Sequence, residues 1–377
     1  MTKVCHLTSV HRRYDIRIFY KECISLSKEG FDVNLIVADG LPDEIRDGIK
    51  IFSVSKENSG RLKRFTKTVR KVYRKAKEIN ADLYHIHDPE LLLIARRLKN
   101  HGHSVIFDSH EDVPQQILSK TYIPIQIRRL ISTLIAKLEK KIVNKLDAVV
   151  AATPTIRDKF LKINKNTVDV NNYPIIDNHL PIPDWNTKER SICYVGGITV
   201  NRGIKELIVS LNYVDVKLNL AGNYQPEKLR DELKHLKGWE KVEDYGFVDR
   251  IEIQNILNKS MVGMVTLHPI INYLESLPIK MFEYMLAGLP VICSNFPLWQ
   301  EIVEGNGCGK SVDPADPKAI SQAINFLLNS PQVALEMGQK GRKLILEEFN
   351  WGIESKKLIV LYLKVLKKVQ LKAQFEF

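Results

Sequence analysis

Short apolar runs alternate with longer amphipathic stretches along the chain, and this alternation limits the possible folds more than any other feature. Five apolar runs in the first half predict strands: Lys3–Leu7, Val33–Val37, Leu83–Ile86, Val105–Asp108 and Ala148–Ala151. Helical stretches separate them: Ile18–Lys28, Leu62–Ile79, Leu91–Asn100 and Ile125–Asn144. Continuously apolar strands are typical of sheets covered on both faces, so this order predicts a parallel, doubly wound sheet.

The second half repeats the pattern. Its predicted strands are Ser191–Val195, Lys217–Ala221, Met261–Val265 and Val291–Ser294. Its predicted helices are Arg202–Leu211, Gln225–Leu236, Ile251–Leu257 and Pro278–Leu286. Between the halves lies a stretch with three prolines and little periodicity, which is typical of a linker.

We therefore predict an α/β protein with two Rossmann-like domains. Residues 1–171 form the first domain, residues 172–190 the linker and residues 191–352 the second domain. A final helix, within residues 353–377, is expected to return to the first domain. The carboxyl ends of the strands in both domains are expected to face a common cleft, where open α/β sheets bind ligands.

The composition excludes several classes of protein. The chain has 377 residues and is 44% hydrophobic, which is enough for two packed cores. No apolar run approaches 18 residues, so no transmembrane helix is expected. The amino-terminal segment lacks the pattern of a secretory signal, and the five cysteines form no CxxC pair. A reducing, cytoplasmic location is the expectation.

Positive charge is concentrated in the first half. The net charge is +12, and residues 1–180 hold 32 Lys and Arg against 21 Asp and Glu. Part of the excess lies in Ile127–Lys145, where six basic residues alternate with Ile, Leu and Val at helical spacing. Such a helix suits an anionic membrane surface or nucleic acid. A solvated basic face without a partner is the plain alternative.

Two acids, Glu275 and Glu283, stand eight positions apart around a predicted helix start at Pro278. A proline is tolerated in the first turn of a helix, and Gly288 and Pro290 predict its end. The pair is therefore carried to a helix N-terminus, which favours anions. Glu283 has mostly apolar neighbours, so a buried carboxylate there needs a partner. A sugar-nucleotide site is one interpretation; two solvated acids at a chance spacing is the other.

A glycine turn follows the predicted strand Ser191–Val195. Gly196 and Gly197 let the backbone approach a phosphate closely, and Arg202 adds a fixed positive charge near the next helix start. A Gly-Gly pair after a strand is by itself most often just a turn. In the same predicted domain as Glu275 and Glu283, it favours a diphosphate site.

Together these motifs resemble glycosyltransferase family 4. The second half carries Gly-Gly-x4-Arg-Gly, then Gly246-Phe247-Val248, then E-x7-E followed by Ala-Gly-x-Pro-Val-Ile. The segments from Thr8 to Glu22 and from Asp108 to Glu111 resemble the branch that builds bacterial surface polysaccharides. The resemblance covers nearly the whole chain. It implies a GT-B fold, an acceptor-binding first domain, a nucleotide-sugar-binding second domain, and retaining chemistry without a metal or cofactor.

The resemblance also implies roles for single residues. Glu275 and His110 would be catalytic, Glu275 near the reacting centre and His110 facing the donor sugar. Glu283 would bond the ribose hydroxyls and Arg202 the phosphates. The remaining donor-binding positions would be Lys280, Gly196, Gly197 and Leu277.

The chain departs from the family pattern at three places. The family usually has Arg where Gly197 stands, and we expect Lys280 either to replace that charge or to form a surface salt bridge. It usually has a glycine pair in the first loop, where this chain has Arg13-Tyr14-Asp15. It also usually has glycine after the first acid, where Pro278 appears.

The expected activity is transfer of a hexose or N-acetylhexosamine from a nucleoside-diphosphate sugar, UDP favoured, to a lipid-linked or oligosaccharide acceptor. A peripheral position on the inner face of the plasma membrane would follow. A sugar-nucleotide epimerase of the same fold is the alternative, and a glycosidase that uses the acid pair is less favoured. A nucleic-acid-binding protein is disfavoured because the basic stretches lack interleaved aromatics. His85 and His87 look like metal ligands, but with no further His or Cys cluster in the sequence we expect a structural role.

Overall fold

The computed structural model describes residues 1–55, 64–120, 122–176 and 184–375, with side chains described as far as residue 367. The chain divides into two compact units. Met1–Asn172 and Trp351–Phe377 form the first unit, and Tyr173–Asn350 forms the second. Two sequence predictions fall partly outside the described residues: the start of the Leu62–Ile79 helix, and residues 177–183 of the linker.

The first unit contains an eight-stranded sheet in the order β3-β4-β2-β1-β5-β6-β7-β8. All neighbouring pairs are parallel except β3 with β4. The strands are β1 (Lys3–Leu7), β2 (Asp32–Val37), β3 (Glu44–Arg46), β4 (Ile49–Ser53), β5 (Leu83–Ile86), β6 (Ser104–Ser109), β7 (Ala148–Ala151) and β8 (Thr167–Asp169). The five strands predicted from apolar runs are all present, and they occupy the interior of the sheet.

Helices cover both faces of this sheet. After β1, the chain runs through the helical segment Ile16–Cys23 into the helix Ile24–Lys28. The other helical segments of the unit are Arg64–Thr68, Val69–Ile79, Pro89–Leu91, Leu92–Asn100, Val113–Leu118, Ile125–Val143 and Pro154–Leu161. Side-chain caps fix several starts, as where Thr153 accepts a hydrogen bond from the Ile156 amide. The predicted helices are therefore confirmed within the described residues, and the two short ones flanking Ile125–Val143 were missed.

The C-terminal helix, Trp351–Phe375, packs on the first unit, as predicted. Leu358, Leu361 and Tyr362 lie in the same apolar core as Val4 and Phe19. At the start of this helix the Trp351 indole donates to the Ser25 hydroxyl at 2.9 Å. The Glu354 carboxylate accepts from the Asn171 amide at 2.7 Å. Burial and these two bonds together hold the helix to the first sheet.

The second unit contains six parallel strands in the order β11-β10-β9-β12-β13-β14. They are β9 (Ser191–Val195), β10 (Lys217–Ala221), β11 (Val242–Gly246), β12 (Val262–Val265), β13 (Val291–Ser294) and β14 (Gly309–Val312). Numbered within the unit, this order is 3-2-1-4-5-6, the order of dinucleotide-binding sheets. The chain therefore reverses its direction of winding between β9 and β12.

The helices of the second unit alternate with its strands. They are Ile204–Ser210, Leu229–Lys234, Arg250–Lys259, Ile271–Leu274, Ile279–Leu286, Pro297–Val303, Pro317–Asn329 and Pro331–Glu347, with single turns at Trp185–Thr187, Val200–Arg202, Leu211–Tyr213 and Trp239–Lys241. Ile279–Leu286 begins after Pro278, and Gly288 follows it with a φ of 70°, as the sequence predicted.

Each unit thus has one point of winding reversal, between β1 and β5 in the first and between β9 and β12 in the second. The residues just after these strands lie at the carboxyl ends, where parallel sheets leave a crevice. Within the described residues, no helix is both long and apolar enough to cross a membrane.

Candidate functional site

The glycine turn after β9 leaves room for two cationic side chains. A Cβ atom at Gly196 would lie 3.0 Å from Nζ of Lys280, and one at Gly197 would lie 3.5 Å from Nη1 of Arg202. Gly196 has a φ of 132°, which side-chain-bearing residues rarely adopt. Both cations therefore lie directly against the glycine backbone, at the winding reversal of the second unit.

Lys280 is buried without a hydrogen-bond partner. The residue is 9% exposed, and its Nζ has no hydrogen-bond acceptor among the residues that the structure describes. It lies 3.6 Å from the centre of the Tyr194 ring. Burial lowers the pKa of Lys280 well below its usual value, and the neighbouring Arg202 guanidinium lowers it further. A buried cation in this state is costly unless an anion joins it.

Arg202 is held beside Lys280 by the turn that precedes the helix Ile204–Ser210. Gly203 ends this turn with a φ of 68°, and a Cβ there would lie 1.8 Å from the Thr266 carbonyl oxygen. The loop after β12 is thus in direct contact with the loop after β9. The Arg202 Nε atom is buried, again without a partner among the described residues. The turn therefore points a second cation into the same small volume.

Glu283 follows Lys280 by one turn on Ile279–Leu286 and is only partly buried. Its Oε1 accepts a hydrogen bond from Nη1 of Arg250 at 2.8 Å. The partner that the sequence required for this carboxylate is therefore present. Glu275 is exposed in the loop after Ile271–Leu274, and Leu277 is partly buried in the same loop. The Trp299 indole fixes this loop by donating to the Ser276 carbonyl at 2.7 Å.

His110 lies in the first unit, at the carboxyl end of β6. Its Nε2 is 2.9 Å from Oδ2 of Asp108, and its side chain is 19% exposed. Burial raises the pKa of Asp108, but Arg17 and His110 outweigh it and hold that pKa well below its usual value. The ionised carboxylate therefore accepts the Nε2 proton of His110.

Sequence reasoning missed two residues at the same end of the first sheet, Asp88 and His11. The Thr8 hydroxyl donates to Oδ2 of Asp88 at 2.9 Å, and Nε2 of His11 lies 3.4 Å from its Oδ1. The His11 ring is 4.9 Å from the His110 ring. The sequence could have indicated Asp88, because it lies two positions after the end of β5, next to His87.

The Arg13-Tyr14-Asp15 loop, which stands where the family has a glycine pair, has a structural role. Arg13 donates to Asp39 at 2.7 Å and to Glu44 at 2.6 Å. The Asp15 side chain caps the helical segment Ile16–Cys23 by accepting from the amides of Arg17 and Ile18. These bonds tie the loop to the end of β2 and to β3.

The sequence shows no further His or Cys cluster around His85 and His87, yet the fold places His6 and Glu22 beside them in the buried interior. The cluster is not visible in the sequence because its members come from β1, from β5 and the residue after it, and from the Ile16–Cys23 segment, up to 81 residues apart. Only strand pairing brings them together.

Comparisons with known proteins fit this arrangement. Residues 176–344 match the family model described as glycosyl transferases group 1, and residues 17–171 match the model of glycosyltransferase family 4. The chain belongs to glycosyltransferase family 4. The two matched regions correspond to the second and the first unit.

Among curated proteins, the chain is 28% identical over 96 residues to an MMP α-(1→4)-mannosyltransferase of Mycolicibacterium hassiacum, covering 25% of this chain and 23% of that protein. It is 22% identical to a glycogen synthase of Mycobacterium tuberculosis, covering 44% of this chain and 40% of that one. A D-rhamnosyltransferase, WbpZ of Pseudomonas aeruginosa, is 24% identical over 73% of this chain and 71% of its own length. The match thus spans less than half the length of the first two relatives.

Solved structures show the GT-B fold. A sucrose-phosphate synthase from Thermosynechococcus elongatus superimposes with a TM-score of 0.77 at 16% identity, covering 98% of this chain and 100% of that one. Anabaena Alr3699/HepE, solved in complex with UDP and glucose, has a TM-score of 0.73 at 17% identity, covering 97% and 100%. At such identities the likeness concerns the fold alone.

Proposed function

We propose that this glycosyltransferase moves a hexose or N-acetylhexosamine, with retention, from a nucleoside-diphosphate sugar to a lipid-linked or oligosaccharide acceptor in surface polysaccharide synthesis. The observation that carries the proposal is the pair Lys280 and Arg202 against Gly196 and Gly197. A buried ammonium without a partner, beside a guanidinium and an open glycine backbone, suits a diphosphate.

The chemistry needs these charges. As the glycosidic bond to the nucleotide breaks, negative charge builds on the leaving phosphate while the sugar becomes oxocarbenium-like. Donors that are already in place stabilise such developing charge most effectively. Lys280 and Arg202 would serve in this role, and Glu283 would bond the ribose. The catalytic roles that the family resemblance gives Glu275 and His110 stay predictions.

UDP is the favoured nucleotide. The support is the family resemblance, together with the UDP complex of the Anabaena protein that shares the fold. The surface-polysaccharide role rests on the resemblance of the segments from Thr8 to Glu22 and from Asp108 to Glu111 to that branch of the family. In this proposal the first unit binds the acceptor and the second unit binds the donor.

A nucleotide panel tests the donor site. UDP is expected to raise the melting temperature of the wild type, and GDP and ADP to raise it less, because binding stabilises the native state by mass action. An Arg202→Met variant should lose turnover by roughly 10²–10³, the effect of removing one transition-state donor. A wild type that no nucleotide stabilises would refute the donor site.

A product assay separates transfer from the alternative reaction. With a polyprenyl-diphosphate-linked glycan present, the sugar of the UDP-sugar should appear on the acceptor with its anomeric configuration kept. Isomerisation of the UDP-sugar without any acceptor would instead identify an epimerase. Transfer is expected to persist in excess EDTA, whereas a loss that magnesium or manganese restores would contradict the metal-free mechanism.

We also propose that the helix Ile125–Val143 binds an anionic membrane surface. Four apolar side chains at spacings of three and four residues are 42–61% exposed: Ile127, Leu130, Leu134 and Leu138. Exposed basic residues lie beside this stripe: Arg129, Lys137, Lys140 and Lys141. An exposed apolar stripe with basic residues on its edge is the pattern of an interfacial helix.

One of the six basic side chains of Ile127–Lys145, Arg128, behaves differently. Arg128 is partly buried, and its Nη1 donates to the Leu118 carbonyl at 2.8 Å. It therefore holds the helix to the preceding segment and is kept out of the proposed lipid contact.

Flotation with vesicles tests the membrane proposal. Each basic residue near an anionic leaflet contributes about 1 kcal/mol, and the contribution falls off over a Debye length. We expect binding to phosphatidylglycerol vesicles that added salt weakens sharply. Replacing Arg129, Lys137, Lys140 and Lys141 by Gln should release the protein.

A matched control replaces four exposed lysines of the second unit by Gln: Lys217, Lys237, Lys340 and Lys343. This variant has the same net charge as the helix variant and should still bind vesicles. If both variants lose vesicle binding equally, net charge alone explains the binding. If the helix variant still binds vesicles, the helix Ile125–Val143 is not the membrane-binding surface.

A further inference from the structure

Three histidines lie on one face of the first sheet. His6 on β1 is paired directly with His85 on β5, and the His87 amide bonds the Leu7 carbonyl at 3.1 Å. Side chains two positions apart on a strand share a face. The His6 ring is therefore 4.8 Å from the His85 ring and 5.1 Å from the His87 ring.

A carboxylate from the facing helical segment completes this group. Oε2 of Glu22 is 3.8 Å from Nδ1 of His6, 3.9 Å from Nδ1 of His85 and 3.9 Å from Nε2 of His87. All four residues are at most 2% exposed. One oxygen thus lies at nearly equal distance from three imidazole nitrogens, too far for a hydrogen bond to any of them.

Glu22 has little else to bind. Neither of its oxygens has a hydrogen-bond partner among the described residues. Nε of Arg17 lies 3.1 Å from Oε1, and the hydrogen bonds of its guanidinium go to Asp108 and to the Val170 carbonyl. Arg17 therefore pairs with one oxygen of Glu22, and the other oxygen, Oε2, faces the three imidazoles.

We propose that His6, His85, His87 and Glu22 bind one divalent transition-metal ion of the zinc class. Their four donor atoms all lie within 4.8 Å of one another. Three imidazoles and a carboxylate, with no thiolate, suit zinc and its neighbours in the series. Around a tetrahedral zinc with bonds of about 2.0–2.1 Å, donor atoms are about 3.4 Å apart. The Glu22 distances would then shorten by a few tenths of an ångström, and the 2.9 Å between His6 and His87 would open by about as much.

Outer groups are in place to hold the ligands. Nδ1 of His87 is 3.2 Å from Oδ2 of Asp108, the carboxylate–histidine arrangement common behind metal ligands. The Tyr362 hydroxyl is 3.2 Å from Nε2 of His6 and 2.7 Å from Nδ1 of His85. Binding through Nδ1 of His85 replaces the second of these bonds, and Tyr362 then keeps its bond to His6.

The burial of all four ligands makes this a structural site. Catalytic zinc keeps one position open to water or substrate, and no ligand here is exposed enough to offer one. The ion would join β1, β5 and the Ile16–Cys23 segment beneath the C-terminal helix. It is independent of the donor site, which lies in the second unit, so metal-free transfer chemistry is compatible with it.

A metal-free arrangement is the competing account. The contacts allow a chain of hydrogen bonds from Tyr362 through His6 and His87 to Asp108, with Glu22 protonated. This chain needs no ion. The two accounts differ in metal content and in the response of folding to zinc.

The first test uses the wild-type protein. Protein from zinc-supplemented cells should contain one zinc ion per chain by mass spectrometry. Unfolding in guanidinium with EDTA, then refolding with and without zinc chloride, should give a higher melting temperature with zinc. Cobalt(II) in its place should show the visible absorption of a four-coordinate ion. Less than about a tenth of a zinc ion per chain, with no effect of zinc on melting, would overturn the proposal.

Variants then locate the ion. Glu22→Gln and His85→Gln should each lose the bound zinc, and His103→Gln should keep it. His103 is a matched control because it is partly buried in the same unit, against Tyr84, away from the cluster. Full zinc in the Glu22 and His85 variants would place the ion elsewhere and refute this site. If those variants do not fold, the zinc content and refolding of the wild type decide the question.

Discussion

Replacing Lys280 by methionine should stabilise the nucleotide-free protein while removing its response to UDP. Nζ of Lys280 is buried without a partner among the described residues, and methionine keeps similar length and apolar packing on the Tyr194 ring. Leaving a buried polar group unsatisfied costs about 1–3 kcal/mol, and more for a charge. The cation–π attraction to Tyr194, which methionine cannot make, contributes about 0.5–2 kcal/mol in the wild type. Taking the middle of each range, about 2 against about 1 kcal/mol, the variant is favoured by about 1 kcal/mol.

The size of the expected shift follows from the size of the unit. For a folding unit of roughly 150–250 residues, such as Tyr173–Asn350, each kcal/mol moves the melting temperature by about 2–4 °C. The variant should therefore melt about 2–4 °C higher without ligand. UDP at a hundred times its dissociation constant adds about 2.7 kcal/mol to the wild type. A charge-assisted bond of about 1.5–3 kcal/mol removed from binding would leave the variant about half of that stabilisation or less.

The stability of the wild type should change with pH in a definite direction. The pKa of Lys280 is lowered in the folded protein, so above this pKa the unfolded chain binds more protons than the native one. The stability of the wild type then rises with pH up to the usual lysine pKa, near 10.5. The advantage of the methionine variant should accordingly narrow as the pH rises toward that value.

Differential scanning fluorimetry with a UDP titration measures these effects. Lys188→Met is the matched control, because Nζ of Lys188 donates to the carbonyls of Leu257, Asn258 and Ser260. This control should lose about 1–3 kcal/mol of stability and keep its UDP response. A Lys280 variant that melts lower than the wild type without ligand, or that keeps the full UDP shift, would refute the reasoning.

Three further outcomes are expected. Glu283→Ala should raise the dissociation constant for UDP by calorimetry while lowering turnover at saturation less, since ribose contacts are equal in the ground and transition states; unchanged affinity with collapsed turnover would contradict the ribose role. Gly203→Ala should lower the free energy of unfolding in urea by about 2 kcal/mol or more, because φ is 68° and the added Cβ would lie 1.8 Å from the Thr266 carbonyl oxygen; an unchanged urea midpoint would show that the loop can shift. Arg13 lowers the pKa of Asp39 to about 2, so the stability from this pair is present above the usual aspartate pKa and lost as the pH falls from about 4 to 2. Asp39→Asn should thus cost about 1 kcal/mol or less at pH 7, discounted for exposure, and nothing near pH 2; urea unfolding at both values checks this.

Much of the fold was determined by local sequence pattern. Interior strands such as β1, β5 and β9 are mostly apolar and buried along almost their whole length, because both of their faces are covered by helices. Most of the strands that sequence analysis missed, β3, β8, β11 and β14, lie at sheet edges, and β4 begins with alternating buried and exposed side chains. Both β3 and β11 have partly exposed patterns, so no apolar run marks them. The helix after Pro278 could be predicted because its start and end have their own residue signals.

The sequence predicted only part of the candidate donor site. Gly196, Gly197, Arg202 and Glu283 stood out because glycine turns and the E-x7-E spacing are local features. That Lys280 is buried beside Arg202 without a partner depends on how β9 and the Ile279–Leu286 helix pack, across more than 80 positions of sequence. No local pattern encodes that contact.

The buried histidine cluster shows more clearly which features the local sequence determines and which depend on packing. The sequence displays His85 and His87 as a pair, because alternate positions of one strand share a face. His6 and Glu22 join them only through the parallel register of β1 with β5 and the packing of the Ile16–Cys23 segment. Register and packing are properties of the folded chain, set by the burial of whole sheet faces. The ligand types were therefore present in the sequence, and the tertiary structure alone decided that they meet.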